Sequence, residues 1–228
     1  MRTIAIVPVR GTPVGKTRLA SIFGMEERAE LVEALAWHVV STIQRTGVAE
    51  RTVIVSEGSP FRFMSHPPPG DLEYLVQPGN VSGLNAALDV GRTWALDNDA
   101  DRLLLMSADL PLLELADVYE LADRRAPVVI APDRFATGTN GLLLGESRRT
   151  GKDIAARFSF QFGIGSFRHH LNEAKRLGVA VDTASGPGTS FDLDTPDDWN
   201  RLPADIRDRL LGPINAASGR GDDWAESA

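Results

Sequence analysis

The sequence contains no cysteine, so disulfide bonds, thiolate metal sites and cysteine nucleophiles are excluded. It lacks any apolar run near the roughly 18 residues that a membrane-spanning helix needs, and its apolar start, Met1 to Val9, is too short for a signal peptide. Basic residues are in deficit, with 24 Lys and Arg against 31 Asp and Glu and a formal net charge of −7, which argues against a dedicated nucleic-acid binder. These absences predict a soluble cytoplasmic protein with neither a membrane nor a nucleic acid as its partner.

Apolar runs and helical periodicities alternate along most of the chain. Strands are predicted over 3–9, 51–56, 72–76, 102–106, 127–131, 141–144 and 179–181, and helices over 25–45, 84–96, 115–124, 167–177 and 195–202. Because strands buried on both faces read as continuous apolar runs, this pattern predicts an α/β fold with a mostly parallel central sheet flanked by helices. We find no linker or internal repeat in 1–212, which we interpret as one domain, and we predict that the small, polar, Gly-rich stretch 213–228 is a disordered tail.

A basic glycine loop follows the first strand. Arg10, Lys16 and Arg18 lie within nine residues of one another in an acidic protein, which favours binding of a triphosphate. The loop is not a Walker-type phosphate loop, because that motif has four residues between its glycines, whereas Gly11 and Gly15 enclose three. The alternative is a solvated basic loop without a ligand.

Three aspartates are candidate metal ligands. Asp109 follows the strongly apolar strand 102–106, at the sheet edge where α/β proteins bind ligands, and a carboxylate there suits Mg²⁺. Asp192 and Asp194 alternate in an extended segment and so face the same side, which is costly unless a cation compensates them. The alternative for each of these segments is helix capping, by Asp109 before one helix and by Asp194 or Thr195 before another.

Two further polar segments could contact ligands. The loop that contains Gly83 and Asn85 runs into a helix and offers backbone N–H groups and an amide to a purine edge, although a simple loop with a cap explains it equally well. The segments 137–141 and 162–170 lead to Ser166 at a helix start, where free N–H groups attract an anion. His169 and His170 are adjacent on that helix and point apart, so we predict surface histidines rather than a metal pair.

These segments, in this order, resemble the family of 2-phospho-L-lactate and phosphoenolpyruvate guanylyltransferases of coenzyme F-420 biosynthesis. The resemblance covers residues 3 to 202 and rests on 15–19, 83–85, 108–111, 163–170 and 192–196. One departure is Gly15-Lys16-Thr17-Arg18, where many relatives carry Ala-Lys-Ser-Arg; the Lys and Arg of the motif are kept. The resemblance implies a Rossmann-like, GT-A-like nucleotidyltransferase fold, related to molybdopterin-cofactor guanylyltransferases.

The resemblance also implies a set of ligands and contacts. GTP would be the donor, a phosphorylated three-carbon acid the acceptor and pyrophosphate a product, with Mg²⁺ as cofactor. We expect two Mg²⁺ ions, which together would neutralise the phosphates of both substrates. Lys16 and Asp109 would be catalytic, and the metal ligands would be Asp109, Asp192 and Asp194. The resemblance places acceptor contacts at Thr139, Gly163 and Ser166. From the two glycine loops described above we expect the nucleotide contacts, at Arg10, Gly11, Lys16, Arg18, Gly83 and Asn85.

Several alternatives stay open at the level of the sequence. The acceptor could be phosphoenolpyruvate, which we favour, 2-phospho-L-lactate or 3-phosphoglycerate. A nucleotidyltransferase for a sugar phosphate or a molybdenum cofactor would share the loop and the acids, and a non-catalytic nucleotide-binding regulator would share the loop. The sequence leaves the oligomeric state open, a homodimer included.

Overall fold

Helices and strands alternate along the chain, as the hydrophobic pattern predicts. A computed structural model describes residues 1–9, 16–58, 70–80, 82–145 and 151–218, with the backbone alone at 151–153 and 213–218. The strands in these ranges are β1 (Thr3–Val9), β2 (Arg51–Ser56), β3 (Asp71–Val76), β4 (Arg102–Met106), β5 (Val128–Pro132), β6 (Thr139–Leu144) and β7 (Val181–Thr183). The helices are α1 (Met25–Thr46), α2 (Leu84–Asp97), α3 (Leu115–Asp123), α4 (Gly151–Arg157), α5 (Ser166–Leu177), α6 (Pro187–Ser190), α7 (Pro196–Arg201) and α8 (Ala204–Ser218).

The seven strands form one sheet in the order β3-β2-β1-β4-β6-β5-β7. Neighbours pair in parallel except β6, which is antiparallel to both β4 and β5. The predicted mostly parallel sheet is therefore confirmed. Because β6 runs the other way, its first residue, Thr139, lies at the same edge as the carboxyl ends of β1 and β4. Strands β2 and β4 lie on opposite sides of β1 in the sheet. A reversal of strand order of this kind opens a crevice for ligands at the carboxyl ends of the strands.

Two apolar layers cover the two faces of the sheet. On β1, Ala5 and Val7 pack with α1 and α3, whereas Ile4 and Ile6 pack with α2, α4 and α5. Helix α2 lies close to the sheet at Gly91, where an added Cβ would come within 2.7 Å of the Ile6 side chain. The continuous apolar strands of the sequence are explained by this burial on both sides.

The C-terminal helices differ from the sequence prediction. Helix α8 was not predicted, nor were α4 and α6, and 213–218, assigned to a disordered tail, are helical backbone at the end of α8. For α8 the cause is tertiary packing, since Leu210 is buried in one cluster with Leu31 and Leu35 of α1. The predicted tail beyond 218 and the Pro-rich loop predicted at 59–69 lie outside the described residues. Within the described ranges, no helix has both the length and the apolarity that crossing a bilayer requires.

An ion pair fixes the segment that leads into α7. The Asp198 side chain, 2% exposed, accepts hydrogen bonds from the backbone N–H groups of Asp194 (3.1 Å) and Thr195 (2.8 Å). Arg134, in the β5–β6 connection, donates to the same carboxylate at 2.5 Å and stacks on the ring of Phe191 at 4.8 Å. The two acids at 192 and 194 are thereby held against the end of β5.

Replacing Asp198 by Asn should lower the free energy of unfolding by about 1.5 to 3 kcal/mol, because a buried charge-assisted hydrogen-bond set is lost. Burial opposes the charge of Asp198, but the hydrogen bonds from Thr195 and the neighbouring backbone keep its pKa below the ordinary value of 3.8. Because the pKa of Asp198 is lower in the folded than in the unfolded protein, its ionised carboxylate stabilises the fold at pH values above 3.8. This stabilisation is lost as the pH falls through the folded-state pKa.

Urea unfolding of wild type and Asp198→Asn should therefore show a constant stability gap at neutral pH that narrows only below about pH 4. Asp197→Asn, which removes the neighbouring exposed carboxylate, is the matched control and should change stability by less than about 0.5 kcal/mol. An equal loss of stability in both variants would show that the ion pair of Asp198 does not fix this segment.

Candidate active site

A cavity of about 480 Å³ opens at the sheet edge where β1 and β4 end and β6 begins. Its walls come from the end of β1, the segment 16–18, helices α1 and α2, the end of β4 with the segment after it, the β5–β6 connection with the start of β6, the segment 162–166 and the segment 192–194. Of the predicted site residues, the cavity is lined by Lys16, Arg18, Asp109, Thr139, Gly163, Ser166, Asp192 and Asp194.

Lys16 connects two of the three predicted metal ligands. Its ammonium lies 2.5 Å from Asp109 Oδ2 and 2.8 Å from Asp194 Oδ1, and its side chain is 10% exposed. The short 3-10 turn Thr17–Leu19 follows, and the fully buried Leu19 anchors it against α1. Lys16 itself has a left-handed backbone, with φ of 54°, which side chains other than glycine rarely adopt. The strained residue is thus the one that reaches into the cavity.

Asp109 is held by its own strand and by the second acidic segment. Ser107 donates its hydroxyl to Asp109 Oδ1 at 2.6 Å, and the backbone N–H of Leu193 donates to the Asp109 carbonyl at 3.0 Å. The capping interpretation of Asp109 is wrong, because Glu114 is the N-cap of α3. Thr195 caps α7, so the capping prediction is confirmed for Thr195 and leaves the carboxylate of Asp194 in the cavity.

The electrostatics of the three charged groups depend on one another. Burial disfavours the charged form of Lys16, but Asp109 and Asp194 outweigh burial and raise its pKa. Burial likewise opposes the charge of Asp109, but the ammonium of Lys16 and the hydrogen bond from Ser107 keep its pKa below 3.8. Asp192 differs, because burial and the charge of Asp109 both raise its pKa. A cation near Asp192 would relieve this cost.

The cavity is acidic. Among the described residues its walls carry four carboxylates and two basic side chains, the carboxylates being Asp109, Asp133, Asp192 and Asp194. The second base, Arg18, is largely exposed and lies 3.8 Å from Asp194. Carboxylate oxygens are the ligands that Mg²⁺ prefers, so the donor chemistry fits a divalent cation. The described residues nevertheless contain no ready-made group of three metal-ligating side chains, since Lys16 lies between two of the acids.

The opposite wall is the amino end of α5. Gly163 and Gly165 have positive φ values of 128° and 73°, which let the chain turn sharply before Ser166, the buried first residue of the helix. The turn is fastened to the β5–β6 connection by a hydrogen bond from the Phe167 N–H to the Thr137 carbonyl at 3.2 Å. A helix N-terminus attracts an anion, so this wall is suited to a phosphate or a carboxylate.

His170 corrects the sequence prediction of two surface histidines. His169 is exposed, but His170 is fully buried, and its ring contacts Thr139 of the cavity wall at 3.0 Å. The two do point apart, as adjacent helical positions must. The periodicity of α5 contained the missing signal, since His170 lies three residues after Phe167 and four before the buried Ala174, on the apolar face.

The remaining predicted nucleotide contacts are not brought into the described cavity wall. Gly83 precedes α2, and Asn85 is tied to the backbone of Phe162, accepting its N–H at 2.8 Å and donating to its carbonyl at 3.1 Å. The amide of Asn85 thus positions the segment that enters the cavity. Arg10 and Gly11 lie outside the described residues.

Known proteins resemble this chain over nearly its whole length. Residues 3–203 match the family described as "Guanylyl transferase CofC like". A phosphoenolpyruvate guanylyltransferase of Rubrobacter xylanophilus is 38% identical, covering 90% of this chain and 95% of that protein. A 2-phospho-L-lactate guanylyltransferase of Methanothermobacter thermautotrophicus is 31% identical, covering 89% of this chain and 84% of that protein.

A solved structure shares the fold at low sequence identity. It is a nucleotidyl transferase from Methanothermobacter thermautotrophicus, 18% identical with a TM-score of 0.61, covering 93% of this chain and 99% of that chain. The sheet edge, its acids and the family match agree with the resemblance carried by the sequence motifs. The chain belongs to the CofC-like guanylyl transferase family.

Proposed function

We propose that this protein transfers guanosine monophosphate from GTP to phosphoenolpyruvate, or to the related 2-phospho-L-lactate, in coenzyme F-420 biosynthesis. The observation that carries the proposal is the acidic cavity in which Lys16 bridges Asp109 and Asp194, opposite the amino end of α5. One side of such a cavity suits a triphosphate that arrives with cations, and the other suits a smaller anion. The names of the relatives supply the two substrates.

The reaction is a displacement at phosphorus. An oxygen of the acceptor phosphate attacks the α-phosphorus of GTP, the bond from that phosphorus to the β-bridging oxygen breaks, and pyrophosphate leaves with the electron pair. The attacking oxygen is already anionic, so the protein does not have to remove a proton. Its task is to align the two phosphates and to neutralise charge.

Asp109, Asp192 and Asp194 would hold Mg²⁺ for this reaction. The raised pKa of Asp192 and the surplus of carboxylates in the cavity support this assignment. When bound, the cation supplies charge neutralisation to the phosphates of both substrates. We propose two ions, so that the phosphates of both substrates are neutralised.

Lys16 would serve first as the counter-ion of the acids and then as a triphosphate contact. Its ammonium compensates Asp109 and Asp194, and the side chain is long enough to turn from carboxylates to phosphate oxygens when cations reach the acids. Arg18, exposed beside Asp194, would add charge at the outer phosphates. Arg10 and Gly11 stay proposed triphosphate contacts.

Ser166, Gly163 and Thr139 would bind the acceptor. The helix N-terminus at Ser166 favours an anion, and Thr139 adds a hydroxyl from the start of β6. For the guanine we keep the backbone at Gly83 as a proposed contact, beside the apolar wall of Leu84 and Leu88. Asn85 would act indirectly, through its two hydrogen bonds to the backbone of Phe162.

A substrate screen tests this function. GTP, ATP, CTP and UTP would each be combined with phosphoenolpyruvate, 2-phospho-L-lactate, 3-phosphoglycerate and a sugar 1-phosphate, with Mg²⁺, and pyrophosphate would be measured. We expect release with GTP and a three-carbon acid alone. Preference for a sugar phosphate would indicate another nucleotidyltransferase, and nucleotide binding without pyrophosphate would indicate a regulator.

A cytoplasmic location and a homodimer stay predictions of the sequence.

Asp109→Asn should lower kcat for pyrophosphate release by at least about a hundredfold, since it removes a charge at the reacting phosphates. Circular dichroism and the melting temperature should show a folded protein. Asp71→Asn is the matched control. Asp71 lies on the edge strand β3, where it pairs with Arg51 of β2, and it does not line the cavity. Near-normal turnover by Asp109→Asn would remove Asp109 from the reaction centre.

Lys16→Met tests whether the ammonium and a divalent cation compete for the same acids. Without nucleotide or Mg²⁺, the variant should be less stable by about 1 to 3 kcal/mol, because the carboxylates lose their counter-ion. Saturating Mg²⁺ should then raise the melting temperature of the variant more than that of wild type. If the cation binds tenfold more tightly, the extra stabilisation is about 1.4 kcal/mol, or about 2 to 4 °C.

Differential scanning fluorimetry with and without Mg²⁺ measures this difference without any turnover. Lys175→Met, which removes an exposed lysine of α5, is the control and should respond to Mg²⁺ as wild type does. A smaller Mg²⁺ response in Lys16→Met than in wild type would show that Lys16 helps the acids to bind the cation rather than competing with it.

A further inference from the structure

His170 is a fully buried polar side chain with two hydrogen-bond partners. Its Nε2 lies 3.1 Å from the backbone N of Gln161, and its Nδ1 lies 3.0 Å from Oγ1 of Thr139. The rings of Phe158 and Phe162 pack against the imidazole, with centroids at 5.7 and 4.7 Å. The ring is therefore fixed in orientation, with one nitrogen aimed at the backbone and the other at the cavity wall.

The backbone partner determines where the ring carries its proton. A backbone N–H can only donate, so Nε2 accepts from Gln161 and has no proton of its own. Burial, together with the neighbouring His169, lowers the pKa of His170 to about 4, although Glu173 opposes the shift. The ring is accordingly neutral near pH 7, and its single proton is on Nδ1.

The proton on Nδ1 in turn fixes the role of Thr139. The Nδ1–H group donates to Oγ1 of Thr139, so the hydroxyl oxygen accepts this bond and its own proton turns toward another acceptor. A hydroxyl has one proton and two lone pairs. Thr139 lines the cavity at the start of β6, beside Asn140, and Gly163 and Ser166 line the same cavity. Its remaining hydrogen-bonding direction suits an anionic oxygen in the cavity.

We propose that His170 is a positioning residue that holds the Thr139 hydroxyl as a hydrogen-bond donor to an anionic oxygen of the phosphorylated acceptor. The inference rests on the proposed function for the identity of that ligand. The hydrogen-bond relay from Gln161 through His170 to Thr139 stands on the geometry alone. The relay adds a hydroxyl donor, Thr139, to a wall that already has the positive end of the α5 helix dipole.

Two substitutions separate this role from a merely structural one. In His170→Asn the amide nitrogen replaces Nδ1 and can still donate to Thr139, but the Gln161 N–H loses its acceptor. In His170→Gln the amide reaches the position of Nε2 and can still accept from Gln161, but nothing donates to Thr139. If His170 acts through Thr139 on the acceptor, the Asn variant should have the lower acceptor KM. If His170 only supports the backbone at 161, the Gln variant should have the lower acceptor KM.

We expect His170→Gln to raise the KM for the acceptor about tenfold, the loss expected for one hydrogen bond to a charged group. The KM for GTP should change by less than about twofold, and His170→Asn should keep the acceptor KM within about threefold of wild type. Thr139→Val should raise the acceptor KM as much as His170→Gln. Adding His170→Gln to Thr139→Val should change it little further, because the two residues act as one unit.

Nitrogen-15 NMR of the wild-type protein tests the relay without any substrate. The ring nitrogen shifts and their couplings to the ring protons should identify an Nδ1–H tautomer for His170, assigned by the loss of its signals in His170→Gln. An Nε2–H tautomer would overturn the inference, as would an acceptor KM that suffers equally in the Asn and Gln variants. If wild type forms no pyrophosphate with GTP and any three-carbon acid, the proposed function fails, and so does the proposed contact of Thr139 with the acceptor. The tautomer of His170 still tests, independently of that result, whether His170 donates to Thr139.

Discussion

Charge compensation in one acidic cavity determines how the reactive part of this protein is organised. Lys16, Asp109 and Asp194 come from three distant parts of the chain and meet through two short ion pairs. The largely buried carboxylate of Asp109 would be costly without the ammonium, and the ammonium would be costly without the carboxylates. Asp192, the acid without such compensation from Lys16, has a raised pKa. The cavity is thus prepared for added positive charge, which suits a protein whose substrates carry phosphate.

The fold supplies three supports that keep this cavity open and ordered. The reversed strand β6 brings Thr139 to the carboxyl edge of the sheet, where a parallel strand would have placed Leu144. Arg134 and Asp198 hold the segment of the acids from one side, and Asn85 holds Phe162 from the other. Arg134, Asp198 and Asn85 are not among the residues that line the cavity. Their contribution is to fix distances, on which a displacement between two phosphates depends.

Much of this organisation could be predicted from the sequence, because it depends on local patterns. The strands β1, β2 and β4 begin and end where their apolar runs do. Helix α8 and the direction of β6 were not predicted, since burial against α1 and pairing with β4 and β5 are tertiary properties.

In the candidate site, too, local motifs could be predicted from the sequence and tertiary contacts could not. Lys16 and the acids stand out as motifs, but the contact between them joins residues 93 and 178 positions apart. The burial of His170 was not predicted, because it depends on the packing of the apolar face of α5 against the sheet and not on the adjacent His169. The metal and substrate roles of the predicted residues stay predictions until ligands are bound.

Attack of the acceptor phosphate on the α-phosphorus of GTP can be followed by the position of an isotope label. Phosphoenolpyruvate labelled with oxygen-18 in its phosphate would be incubated with GTP, Mg²⁺ and the protein, and the products analysed by mass spectrometry. We expect a product that contains the acid joined to guanosine monophosphate, retaining the label, together with unlabelled pyrophosphate. Formation of free guanosine mono- or diphosphate with an acid that has gained further phosphate would contradict it.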